Sequence, residues 1–322
     1  MKTKLKYTLI ASLVLLGTLL FITLIWWNGY VPPLDPGKMV TGTIVLKADI
    51  PSQSGSPLRG VLIGATEETA LKSVAGFKKT LARWALKLAF PRKINAYGVK
   101  LEGETAPVYL YSVDFGKGIK IVRMVQDRIP GKIFKGAPSQ DETVNGYSFI
   151  SRQTLIPEPG FKGINACAWV GSGLLLCTDA GYLRRAIEGY DSEAIIPPPS
   201  GKIMTINIDN SNGYLTELIR YYEQKMEYEI FSTADRVKSV DIELSPVNSD
   251  TMKAFARFNT GEAITADDPL VNDVDFFYGV ARRGLRPQGI ELNGTVASEG
   301  SSVVLQGDLT GFRQALSKIE SL

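Results

Sequence analysis

The chain has 322 residues, 44% of them hydrophobic, and a formal net charge of +3. That length and composition support a sizeable core, read as two domains. There is no histidine, which excludes Ser-His-Asp and Cys-His catalysis and HExxH zinc sites. Without the lysines at the N-terminal tip, basic and acidic residues balance, which argues against nucleic acid as a partner.

Lys2, Lys4 and Lys6 precede Tyr7–Trp27, 21 residues without a charge. That run is long enough to span a bilayer. Its exit, Trp26-Trp27-Asn28-Gly29-Tyr30, carries interfacial aromatics instead of the small residues of a signal-peptide cleavage site. Residues 1–31 are therefore expected to be a cytoplasmic tip and an uncleaved anchor. The rest of the chain is expected outside the cytoplasm. Residues 32–40 read as a stiff, Pro-rich spacer that lifts the folded part off the membrane.

A strand is expected over Thr41–Ile50 and a short one at Val61–Ala65. The longest helix follows, from Glu67 to about Phe90. Phe77, Leu81, Trp84 and Leu88 would line its core face, and Lys72, Lys79, Arg83 and Lys87 another. Those four cations are candidates for contact with a membrane surface. Three strands are expected at Ile94–Glu102, Pro107–Phe115 and Ile119–Gln126, the last two joined at Gly116-Lys117-Gly118. A further strand is expected over Gly146–Arg152.

Asn165–Tyr190 is the most legible stretch: strand, Gly171-Ser172-Gly173 turn, strand, and a helix opening at Thr178 or Asp179. With a three-residue loop Val170 faces Leu174, and Cys167 then faces Cys177. A disulfide between Cys167 and Cys177 is expected on that register, in an oxidising compartment. The motif recurs. Asp179, Asp209 and Asp308 are each followed by Gly and an aromatic (Tyr182, Tyr214 and Phe312), as expected of helix caps with an aromatic packed back on a sheet.

Ile195–Gly201 marks the expected boundary between a first domain, 41–196, and a second, 197–322. A helix is expected over Gly213–Glu229. Strand pairs are expected at Arg236–Leu244 with Thr251–Asn259, and at Gly289–Ala297 with Ser301–Asp308. Both pairs alternate polar with apolar, the pattern of antiparallel sheets with one wet face. The expected fold class is α+β: an N-terminal transmembrane helix, then antiparallel sheets with packed helices in recurring strand–helix units.

Chemical motifs are sparse. There is no phosphate loop, no nucleophile elbow and no S-x-x-K dyad. No catalytic, cofactor or metal residue is nominated. Asp273 and Asp275 could offer oxygens to Ca²⁺, but they read as part of a solvated acidic loop. Arg282, Arg283 and Arg286 beside Phe276-Phe277-Tyr278 form a small basic knot. Leu174–Tyr190, with its D-x-x-x-L-x-x-x-I helix, resembles a loose class of uncharacterised bacterial membrane-anchored envelope proteins. That resemblance implies an inner-membrane, periplasm-facing location and no defined activity. The expected role is non-enzymatic: a scaffold or partner-binding subunit, with the bilayer and other envelope proteins as partners. A lipid carrier and a carboxylate-based glycan enzyme are the alternatives.

Overall fold

A computed structural model describes residues 29–51, 59, 63, 76–104, 106–124, 134, 137–158, 163–190, 202, 204–227, 231–248 and 250–312. The expected anchor, Lys72, the 195–201 boundary and the C-terminal helix lie outside them. Among the described residues no helix is long and apolar enough to cross a membrane.

The strands are β1 (Thr43–Pro51), β2 (Lys93–Lys100), β3 (Val108–Asp114), β4 (Ser139–Val144), β5 (Tyr147–Arg152), β6 (Ala166–Val170), β7 (Gly173–Cys177), β8 (Met204–Asp209), β9 (Ser239–Pro246), β10 (Thr251–Asn259), β11 (Glu291–Glu299) and β12 (Ser302–Thr310). Among the described residues the α-helices with assigned bounds are α1 (Phe77–Ala89), the single turn α2 (Ile119–Val122), α3 (Ala180–Glu188), α4 (Tyr214–Met226) and α5 (Pro269–Leu285).

All twelve strands form one sheet, in the order β11-β12-β10-β9-β8-β1-β2-β3-β7-β6-β5-β4. Every described pairing is antiparallel. This corrects the expected α+β class with its separate sheets and strand–helix units. The physical reason is the β1–β8 pair, where Leu46 faces Ile208 and Asp49 faces Thr205. It closes two strand edges against each other that would otherwise lie bare.

Read outward from that seam, the halves share a connectivity. β1-β2-β3 is followed by the hairpin β6-β7, with β7 against β3. β8-β9-β10 is followed by the hairpin β11-β12, with β12 against β10. The N-terminal half adds β4-β5 at its outer edge.

One face of the sheet carries helices along its whole length. Tyr109, Tyr111, Trp169 and Leu176 pack under α2 and Tyr214 of α4. Val240, Val303 and Phe258 pack under Leu215 of α4 and Leu270 and Val274 of α5. Among the described residues the opposite face is covered in the N-terminal half alone, by α3 and by residues 34–39. Tyr182, Leu183 and Ile187 of α3 are almost completely buried there, together with Leu175 and Cys177. Side chains of this size each contribute about 1.5–3 kcal/mol when fully buried.

Three local readings are corrected. Ile119–Gln126 was expected as a strand, yet Gly116–Val122 is helical. The edge of β3 that such a strand would need is taken by β7, and Asp114 Oδ1 accepts the Gly116 N–H at 2.9 Å to start the turn. Pro32–Val40 is not a free spacer. Leu34 and Met39 are buried in the core, the Leu34 amide donates to Ser172 Oγ at 3.1 Å, and Tyr190 donates to the Pro33 carbonyl at 2.9 Å. At Gly173 a Cβ would lie 2.4 Å from the Leu34 side chain, so glycine is what lets this strap lie flat. Ile63 is helical where a strand was expected.

Helix α5 was not expected. Its signals were present: Asp268 caps the Leu270 amide, Pro269 opens the first turn, and Leu270 and Val274 are buried four residues apart.

Candidate functional site

Cross-strand register places the uncovered face. One row runs Thr295–Gln306–Phe255–Glu243–Thr205–Asp49–Asn95–Ser112–Leu175–Ala168. Its C-terminal members are exposed or half-exposed, while Asn95, Ser112, Leu175 and Ala168 are buried. The cover therefore ends near the Asp49–Asn95–Ser112 stretch. There Asn95 donates to Asp49 and accepts from Ser112, and Lys47 and Lys93 each lie 3.6 Å from Asp49. A buried amide with partners on both atoms costs little.

Beyond that line the face belongs to alternate residues of β8 to β12. Asn207 donates to Asp241 at 2.7 Å, Asn259 to Ser239 at 2.8 Å and Ser302 to Asn259 at 2.7 Å. Lys202 pairs with Glu243. Arg257 stacks over the Phe255 ring, 5.4 Å from its centroid, and lies 3.7 Å from Glu299. The Arg257 Nε is buried without a hydrogen-bond partner among the described residues. A half-exposed aromatic and an arginine thus sit together on a largely polar face, with Val304 buried opposite Arg257, the residue types that carry binding energy at protein interfaces.

The expected disulfide is corrected by register. The turn holds two residues, so Val170 faces Gly173, Cys167 faces Leu176 and Cys177 faces Ala166. A one-residue slip reverses every side chain. Cys177 now lies in the core beneath α3 and Cys167 in the core of the helix-covered face. Both are free thiols, pushed up to about 12 by burial. They are small core residues and poor nucleophiles at neutral pH.

Of the candidate membrane-contact residues, Lys79 and Arg83 are half-buried and Lys87 is exposed. Trp84, expected in the core, is 61% exposed. Gly118 explains part of this: a Cβ there would sit 2.3 Å from the Leu88 carbonyl. The C-terminal end of α1 rests on α2 at that point, and Trp84 turns outward.

Asp179 caps α3 by accepting the Tyr182 amide at 2.5 Å. Asp209 accepts the Ser211 amide, while Asn210 serves the first turn of α4 through the Leu215 amide at 2.6 Å. Asp308 stays within β12. The aromatic partners Tyr182, Tyr214 and Phe312 are all buried. Asp273 is engaged by Ser232 and Thr233. Arg282, Arg283 and Arg286 are exposed at the C-terminal end of α5, where cations suit the helix dipole.

The halves also meet on the helix-covered face. The Tyr214 hydroxyl of α4 donates to the Tyr109 hydroxyl of β3 at 3.1 Å. Burial raises both phenols above the ordinary tyrosine value. Two of the surface depressions are lined by described residues as follows. One of about 320 Å³ is lined by Tyr30, Pro32, Lys120, Arg123 and Gly171, and one of about 460 Å³ by Thr43, Lys100, Glu102 and Asn212. The chain matches no family model, and the comparisons with curated proteins and with solved structures found no match.

Proposed function

We propose that this chain is a single-pass, membrane-anchored protein of the bacterial envelope whose extracytoplasmic part works by binding another envelope protein rather than by catalysis. The observation that supports this most is the half-covered sheet. A face that buries a full core in the N-terminal half continues into the C-terminal half as a largely polar face that carries Phe255 and Arg257. A surface of that shape offers broad complementarity to a folded partner and little enclosure for a small substrate.

In-cell photocross-linking tests this reading. A photoreactive residue at Gln306 or Thr295 is expected to give one discrete adduct, and one at Tyr222, exposed on α4, none. The Phe255→Ala and Arg257→Ala variants should each reduce that adduct at least tenfold, as loss of a hot-spot side chain does. Adducts of equal yield from both surfaces, or from neither, would remove the proposal.

A further inference from the structure

The surface formed by α1, α2 and Tyr30 has properties that the uncovered sheet face lacks. Residues 69–101 contain eight basic residues and no acid, and residues 115–126 contain Lys117, Lys120 and Arg123 and no acid. The fold brings these stretches together. α1 rests on Gly118, and the Arg92 side chain lies within 3 Å of where a Cβ on Gly116 would be. Arg59 donates to the Lys87 and Pro91 carbonyls at the end of α1. Burial, and then the charge of Arg92, hold its guanidinium below the ordinary value.

Large apolar side chains stand outward in the same neighbourhood: Tyr30 is 82% exposed, Met124 71% and Trp84 61%. Cations flanking exposed aromatic and thioether side chains match the boundary between anionic headgroups and acyl chains.

The path of the chain decides which anionic surface this is. Lys120 Nζ donates to the Gly29 carbonyl at 2.9 Å, and a Cβ on Gly171 would lie 2.6 Å from the Pro32 carbonyl. The strap is thus fixed from residue 29 onward. Only Asn28 lies between Gly29 and Trp27, the last residue of the expected membrane-spanning run, and two residue steps reach about 7 Å at most. With the anchor in a bilayer, α2 has no slack with which to leave its surface.

We propose that Trp84, Lys87, Lys117, Lys120, Arg123 and Met124 form a seat for the anionic lipid headgroups of the membrane in which the chain is anchored. This rests on the anchor reading. The seat orients the sheet against the bilayer and holds its polar half at a fixed attitude to a partner in the same membrane.

The test is hydrogen exchange of the full-length chain in nanodiscs of phosphatidylcholine alone and of equal parts phosphatidylcholine and phosphatidylglycerol. Peptides covering 77–89 and 117–124 should exchange about tenfold more slowly in the anionic discs, since each cation near such a surface contributes roughly 1 kcal/mol. High salt should abolish the difference, as should the combined Lys87→Glu, Lys120→Glu and Arg123→Glu variant, with β6 and β7 unchanged as the control for folding. The salt arm uses the native chain and does not depend on the variant. Equal exchange in both discs overturns the seat, and so does equal slowing by inorganic phosphate in the zwitterionic discs. A chain stripped from membranes by alkaline carbonate breaks the anchor reading alone. The seat then stands or falls on salt-sensitive sedimentation with vesicles of the anionic mixture.

Discussion

Leu175 and Gln306 occupy one cross-strand row on one face of one sheet, yet Leu175 is fully buried and Gln306 is exposed. Between them the row passes Ser112, Asn95 and Asp49, where apolar packing gives way to hydrogen bonds and ions. In the N-terminal half, α3 leaves β7 and folds back over the face, and the strap fills the space beside it. In the C-terminal half the corresponding aromatic, Phe312, packs instead with Leu309, Leu292 and Ile290 on the helix-covered side. Gly311 lies between, at φ +93°, a backbone conformation that suits glycine. Equal connectivity thus leaves the same face closed in one half and open in the other among the described residues, with Tyr182 and Phe312 packed on opposite sides of the sheet.

The largest effect expected from that contrast is Leu175→Ala. It should lower stability by about 3 kcal/mol, read by urea unfolding of the detergent-solubilised chain. A loss under 1 kcal/mol would mean that α3 is not packed over the N-terminal face.

Next comes Asp268→Asn, at about 2 kcal/mol, through loss of the carboxylate charge and of one of the two 2.9 Å bonds that Asp268 accepts from Arg236 in the C-terminal half. The Arg236 guanidinium, and then the Leu270 amide, hold the Asp268 carboxyl below its ordinary value. A depressed carboxylate adds stability above its unfolded value near 4 that disappears as pH falls through the folded one. The gap between native chain and variant should therefore be full at pH 7 and close below about pH 4. A pH-independent gap would assign the loss to the lost hydrogen bond and not to the charge of Asp268.

Tyr214→Phe removes the hydroxyl bridge between the halves and should cost about 1 kcal/mol. If the bridge couples them, the loss is not additive with Tyr109→Phe in a double-mutant cycle.

Gln306→Ala should change stability by no more than about 0.5 kcal/mol. A larger loss would indicate that the C-terminal face is packed after all. Smallest of all, reductant should leave the unfolding midpoint unchanged. Thiol titration should find both cysteines only after unfolding, since they are buried on opposite faces of the sheet.

Much of the local structure was legible because it rests on local signals. The alternation of Arg236–Leu244 and Thr251–Asn259 foretold strands with one polar face, observed at Ser239–Pro246 and Thr251–Asn259, and Asp179 with Tyr182 foretold the start of α3. The hairpin at Gly171 was legible as a hairpin but not in register. Val170-Gly-Ser-Gly-Leu174 accommodates a two- or a three-residue loop, and the pairing of β3 with β7 and the fit of Leu34 against Gly173 accompany the shorter one. Helix α5 was missed because its acidic and basic ends outweighed the spacing of Leu270 and Val274. The uncovered face as a surface was not legible, since its members come from five strands.

By itself the sequence determined the absence of histidine chemistry, the uncharged N-terminal run, the strand periodicities and the caps, all properties of neighbours along the chain. Only the tertiary structure decided that β1 and β8 close two meanders into a single sheet. It also decided that Cys167 and Cys177 are parted by that sheet, that the proline-rich strap is core, and that the end of α1 rests on Gly118. These depend on pairings between residues far apart in the chain, where register, close glycine contacts and competition for strand edges determine the outcome.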